Sequence, residues 1–157
     1  SHTTSISIKV GFKILRQQIG TFVTGASIVA PLASSAFAGF TSPVISVLDG
    51  DTIEVLHNNR AERIRLSGID CPEKGHAYGQ KAKQAASDFA FGKEVTIQTH
   101  GHDKYKRALA DVLLPDGTNV NQELAKQGWC WWYRKYAPGD TTLERLDTEA
   151  IEARRGL

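Results

Sequence analysis

Between Asp49 and Glu73 the chain places three candidate carboxylates, Asp51, Asp70 and Glu73, and one candidate guanidinium, Arg65, around two turns. The first turn is Asp49-Gly50-Asp51-Thr52, flanked by Val44 to Leu48 and Thr52 to His57, which read as strands on either side of it. The second belongs to Arg65-Leu66-Ser67-Gly68-Ile69-Asp70-Cys71-Pro72-Glu73. Carboxylates at strand ends collect a hard cation such as calcium. An arginine beside them recognises a phosphate through a two-pronged hydrogen bond. A second arginine, Arg107, follows in Asp103-Lys104-Tyr105-Lys106-Arg107. A metal, carboxylates and paired arginines together imply phosphodiester hydrolysis.

The rest of the chain supplies a small mixed fold. Asn58-Asn59 signals a turn into a third strand, Glu62 to Ile69. Ile64 and Leu66 alternate there with Arg63, Arg65 and Ser67, which places Arg65 opposite the apolar face with no need for burial. Tyr78, Ala82, Ala85, Ala86 and Phe89 recur at helical spacing, in a helix ending near Gly92. Val95 and Ile97 alternate in a fourth strand, and Arg107 to Leu114 is a fifth. Asn119 with Gln122 forms a capping-box pattern for a helix ending at Gly128, and Thr141 with Glu144 repeats it. Leu143, Leu146, Ala150 and Ala153 line one face of that last helix. Five strands with about three helices give an α+β, mainly β chain built as a small barrel plus helices.

The first 38 residues differ. They hold Lys9, Lys13 and Arg16 and no acid, then an apolar run from Ile19 ending in Ala36-Phe37-Ala38. That is the pattern of a signal peptide cleaved after Ala38, leaving one domain over residues 39–157. The polar residues within the run make it a weak permanent membrane span. The full chain has 19 basic and 17 acidic residues; without the leader, 16 basic face 17 acidic. Any nucleic-acid contact therefore needs a local patch rather than overall charge. Cys71 and Cys130 read most simply as two separate buried thiols, although export makes a disulfide chemically possible. Neither has the spacing of a zinc site.

The order of Asp-Gly-Asp-Thr, Arg-Leu-x-Gly-Ile-Asp-x-Pro-Glu, Asp-Lys-Tyr-x-Arg and Asn121-x-Glu-Leu-x-x-x-Gly128 resembles the staphylococcal-nuclease-like (thermonuclease) family over roughly Pro43 to Gly156. The resemblance implies a five-stranded OB-fold barrel. It implies a calcium-dependent endonuclease that cleaves DNA and RNA and leaves 3′-phosphate ends; the leader adds export, and with no stable protein partner implied a monomer is expected. By the same resemblance Asp51 and Asp70 are carboxylate calcium ligands, and Cys71 contributes its backbone carbonyl. Glu73 positions or deprotonates the attacking water. Arg65 and Arg107 clamp the phosphate. Lys104 and Tyr105 contact a terminal phosphate of the nucleotide, and Arg134 and Tyr136 lie near its base.

Two positions depart from that pattern. Lys106 stands where the family usually has glycine, which strains the turn if φ is positive there. Arg134 stands where an aromatic is usual, so any stacking there is by a guanidinium. Asp49 reads as a turn residue, because aspartate caps its own backbone. Trp129 and Trp131 read as core packing, and Tyr133 and Tyr136 as the aromatics more suited to nucleotide contact. His100 and His102 read as loop residues, and His57 as an exposed strand end. The rival functions are a non-catalytic OB-type nucleic-acid-binding module, which would dispense with these arginines and carboxylates, and a membrane-anchored interaction domain.

Overall fold

A computed structural model of the chain describes residues 39–156. The proposed leader, its cleavage site and the alternative membrane anchor lie outside the described residues. Among those described, no helix is long and apolar enough to cross a membrane.

Seven strands and three helices follow in the order β1 (Gly39–Asp49), β2 (Thr52–His57), β3 (Arg60–Leu66), β4 (Ile69–Asp70), α1 (Ala77–Ala90), β5 (Glu94–His102), β6 (Ala108–Leu113), α2 (Val120–Lys126), β7 (Trp131–Trp132) and α3 (Thr141–Glu152). Five strands close a barrel in the order β1-β2-β3-β6-β5. This is the expected OB-type α+β architecture. Residues 39–42 are not a loose lead-in: Gly39 to Pro43 pair with β5, and Val44 to Asp49 pair with β2. Register shifts at Val44/Ser46 and Val47/Asp49 let this one strand bend between two partners. The parallel contact between β3 and β6 completes the ring.

Period-two alternation fills the barrel with Val44, Ile53, Val55, Ile64, Leu66, Val95, Ile97, Ala110 and Val112, all buried. Each such side chain contributes about 1.5–3 kcal/mol on burial, alanines less. Helix α1 presents Ala82, Ala86 and Ala90 to this core, small residues that let it lie close against β1. Helix α2 starts at Asn119, whose side chain accepts from the Gln122 amide as the capping pattern requires. Helix α3 is capped by Asp140 rather than Thr141; the Asp140 side chain accepts from the Leu143 amide, and Thr141 is the first helical residue.

The third strand ends sooner than the expected Ile69. It stops at Leu66, and Gly68 takes φ +77, a left-handed turn that favours glycine. A Cβ at Gly68 would also lie 2.6 Å from Leu143. The chain then reverses, and Ile69–Asp70 pairs instead with Trp131–Trp132. His100 and His102 fall inside β5, because that strand runs to the Asp103 turn.

Candidate active site

Strand register explains why Asp51, Arg65 and Asp70 meet. Thr52 is opposite Arg65, so Asp51 sits at the mouth of that pair, and its carbonyl accepts from the Leu66 amide at 2.8 Å. After the Gly68 turn, Asp70 returns to the same end of β3. Arg65 Nη2 then lies 3.4 Å from both Asp51 Oδ2 and Asp70 Oδ1. Contrary to the expectation of a side chain with no need of burial, Arg65 is only 12% exposed. Its Nη1 donates to the carbonyls of Leu66 at 2.6 Å and Ile69 at 2.8 Å. One end of the guanidinium is thus spent on the backbone, while Nε has no partner among the described residues.

Cys71 joins through its amide, which donates to Asp51 Oδ2 at 3.0 Å and Asp70 Oδ1 at 3.2 Å. This N–H holds the two acids, and the Cys71 carbonyl is the atom expected to face the ion. Its sulfur is bonded to Cys130, which corrects the expectation of two separate thiols. Both sulfurs are buried, and the short β4–β7 pairing brings them together across 59 residues of sequence. Burial holds the Asp70 carboxyl above its ordinary pKa, and the neighbouring Asp51 charge pushes the same way against the pull of Arg65. Asp49 is raised for the same two reasons, burial and then Asp51, with Lys74 and Lys83 opposing.

Glu73 lies apart from the Asp51–Arg65–Asp70 cluster. It is exposed at the rim, on the side of Asp49. Its backbone is fixed, while its side chain has no hydrogen-bond or ion-pair partner among the described residues. The Glu73 carbonyl accepts from the His76 amide at 3.0 Å, and Gly79 of α1 packs so close that a Cβ there would overlap that carbonyl.

Arg107 stands at the outer end of the β3–β6 pair. Ile64 pairs with Ala108 and Arg65 with Leu109, so Arg107 lies beside Arg63 on the outward face. Its Nε donates to Asp103 Oδ2 at 2.7 Å, while Asp103 Oδ1 accepts the amides of Tyr105 and Arg107, each at 2.9 Å. Burial alone would raise the Asp103 pKa, but these bonds outweigh it and hold the carboxyl below its usual value. Lys106 has φ +65, so the condition under which lysine strains that turn is met. Tyr105 is exposed, with Lys104 Nζ 5.1 Å and Arg107 Cζ 5.4 Å from its ring centre.

Tyr136 is exposed and shares with Arg65 a pocket of about 280 Å³ that also contains Gly68, His100 and Asp111. Arg134 instead lies over the Trp132 ring at 5.1 Å. Trp129 and Trp132 pack against the core, whereas Trp131 is exposed, so packing moves by one residue from its expected place.

Two positioning residues were not singled out as site residues from the sequence. Asp103 was visible only as a motif letter. Asn121, 1% exposed, donates to the carbonyls of Ser67 and Ala110 at 3.0 Å each and accepts from the Val112 amide at 3.2 Å. It clips the turn between Arg65 and Asp70 to β6.

The arrangement is a pair of facing carboxylates, one arginine fixed between them and a second at the strand end. The family model described as Staphylococcal nuclease homologue matches residues 63–157. This chain belongs to that family. The match begins within β3 and takes in Arg65, Asp70, Glu73 and Arg107. A "Micrococcal nuclease" of Shigella flexneri is 38% identical over 141 residues, covering 84% of this chain and 81% of the relative. An "Uncharacterized endonuclease" of Escherichia coli O157:H7 is 44% identical over 114 residues, covering 73% of this chain and 74% of the relative.

Proposed function

We propose that this nuclease is an exported, calcium-dependent endonuclease that hydrolyses phosphodiester bonds in DNA and RNA and leaves 3′-phosphate ends. The observation that carries this is the convergence of Asp51 and Asp70 on Nη2 of one guanidinium whose Nη1 is held by two backbone carbonyls. Export rests on the basic and apolar pattern of residues 1–38.

The donor set fits a hard cation. Two carboxylates face each other closely enough for Asp51 to repel charge on Asp70, a repulsion that a divalent ion would remove. Among the described residues no group of three or more His, Cys, Asp or Glu side chains could hold a metal by itself. Calcium tolerates this, because it accepts six to eight oxygens and takes many of them from water and backbone carbonyls. Zinc does not suit the site, since both cysteines are bonded to each other. Asp51 and Asp70 would hold the ion. When bound, calcium supplies positive charge to a phosphoryl oxygen and orients water.

The chain's own groups divide the remaining work. Arg65, held at Nη1 by two carbonyls and at Nη2 by Asp51 and Asp70, offers its Nε to the phosphate. Arg107, held at Nε by Asp103, offers its two terminal nitrogens. Charge grows on the phosphoryl oxygens as water attacks, and donors fixed in advance stabilise it without reorganising. Glu73 at the rim accepts a proton from that water or holds it in line. The water oxygen bonds to phosphorus, the bond from phosphorus to the 5′ oxygen breaks, that oxygen takes a proton from solvent to become a 5′ hydroxyl, and the phosphate stays on the 3′ side. The test is digestion of single-stranded DNA and of RNA with calcium and then with a chelator, with the product ends identified. Undiminished cleavage in chelator, or 5′-phosphate products, would overturn this assignment.

A further inference from the structure

The block Trp129-Cys130-Trp131-Trp132 divides by face. β4 and β7 pair antiparallel, Ile69 opposite Trp132 and Asp70 opposite Trp131. Residues opposite one another in such a ladder share a face, with Cβ atoms about 4.5–5.5 Å apart, and successive residues alternate between faces. Ile69, Cys71 and Cys130 are buried, and Trp132 packs against the core. Asp70 and Trp131 therefore turn the other way, to the face on which Asp70 meets Arg65. Trp131 is 37% exposed, and its indole makes no hydrogen bond or ring contact among the described residues. A ladder of two residue pairs is too small to hold a side chain in place by itself. Three ties fix this one: the Cys71–Cys130 bridge next to the Asp70–Trp131 pair, the Tyr133 amide on the Gly68 carbonyl at 2.8 Å, and Trp132 Nε1 on the Ala137 carbonyl at 2.8 Å. A flat apolar ring is thus mounted firmly beside a carboxylate of the site, and its outer side is bare.

We infer that Trp131 is a stacking platform for one of the two bases that flank the cleaved phosphate, and that it holds a different base from the one beside Tyr136. The inference rests on the nuclease reading, because it takes the phosphate to sit at Arg65 and Asp70. A phosphodiester within a chain carries a nucleoside on each side. The pocket beside Arg65 that contains Tyr136 is lined by Gly68 and Ile69, so it lies at the Ile69 end of β4. Trp131 stands at the other end, across from Asp70. A phosphate between them has one aromatic surface to either side. The ring reads no base edge, and every base has a π face, so the platform serves any sequence and either sugar.

The test uses a dinucleotide with both bases, with the 5′ nucleoside abasic, and with the 3′ nucleoside abasic. In the wild type each base removal should lower kcat/KM by about 10-fold, within the range for one stacked base. Trp131→Ala should lose about the same factor on the complete dinucleotide and on one abasic form, and nothing on the other, where the base it would hold is already gone. Tyr136→Ala should show the opposite pattern. Trp131→Phe, which keeps a ring, should recover most of the loss. Calcium titration and melting temperature of Trp131→Ala should match the wild type. Stopped-flow tryptophan emission should fall when the wild type binds a 12-nucleotide single-stranded DNA, and Trp131→Phe should lose most of that quenching. Equal losses on all three dinucleotides would overturn the platform, as would weakened calcium binding, which would make Trp131 a support for Asp70. Coupling of Trp131 and Tyr136 to the same base would overturn it too. A wild-type protein that cleaves neither the dinucleotide nor the 12-mer would overturn the hydrolytic reading instead, and the quenching would still decide the role of Trp131.

Discussion

Replacing Cys71 and Cys130 together by alanine should lower the melting temperature by roughly 10–20 °C. The bridge closes a separation of 59 residues. Chain-entropy loss from the unfolded state for a loop of that size is worth about 4 kcal/mol at 25 °C. A domain of this length has only about 5–15 kcal/mol in total, so the bridge is a large share of it. The folded site should suffer less. Asp70 remains paired with Trp131, the Tyr133 amide still donates to the Gly68 carbonyl at 2.8 Å, and the Cys71 amide that holds Asp51 and Asp70 is backbone. The expected pattern is therefore a large drop in stability with activity retained well below the new transition. Thermal melts of the wild type with and without a phosphine reductant, beside the double variant, measure the first part. Single-stranded DNA hydrolysis at 20 °C measures the second. Transitions within about 3 °C of one another would refute the reasoning, because a bridge that spans this much chain cannot be removed at no entropic cost. Loss of activity in a protein still fully folded would show instead that the bridge shapes the acid pair directly.

Arg65→Ala should lower kcat by about 10²–10³-fold, or about 3–4 kcal/mol, with a smaller change in KM; a pure rise in KM would show that Arg65 only binds. Asp70→Asn should lose calcium affinity by calorimetry while its far-ultraviolet circular dichroism stays that of the wild type, and an unchanged calcium titration would remove Asp70 from the ligand set. Asp147 on α3 has its pKa raised by burial, against a hydrogen bond from the Trp132 amide, so the folded state disfavours its charged form at neutral pH. Asp147→Asn should therefore stabilise the protein at pH 7, with the gain fading as pH falls through the raised folded value towards the ordinary 3.8 and gone below it; chemical denaturation at pH 7 and pH 3.5 checks the sign.

What was legible in the chain was what is local. The turn at Asp49-Gly50, the alternation in β2 and β5 and the cap at Asn119 each depend on a few neighbouring residues, and each appears in the structure. The acid–arginine cluster was legible because Asp51, Arg65 and Asp70 lie on successive turns of one meander. What could not be read depends on distant partners. Closure of the barrel needs Gly39 to Pro43 to find β5, and the disulfide needs β4 to find β7. The end of β3 at Leu66 is marked in the sequence only by Gly68, after which Ile69 falls out of phase with Ile64 and Leu66. Local alternation gave no sign that Trp132 packs and Trp131 does not, since neither pairs with a sequence neighbour.

The two arginines are held by unlike means, and the difference assigns them unlike tolerances. Arg65 is tied by Nη1 to two backbone carbonyls and by Nη2 to Asp51 and Asp70, so its orientation follows both the Gly68 turn and the acid pair. Arg107 is tied by Nε to one carboxylate, and that carboxylate also accepts two amides of the turn carrying the strained Lys106. Asp103 thus sets both the backbone and the side chain of Arg107, and losing it would release the two at once. Lysine could replace neither arginine, because each uses part of a rigid fork for anchorage and keeps the rest for its ligand. A single ammonium cannot divide itself in that way. The position of each guanidinium is therefore encoded less in the arginines than in the groups that occupy their inner edges: the carbonyls of Leu66 and Ile69 for one, and Asp103 for the other.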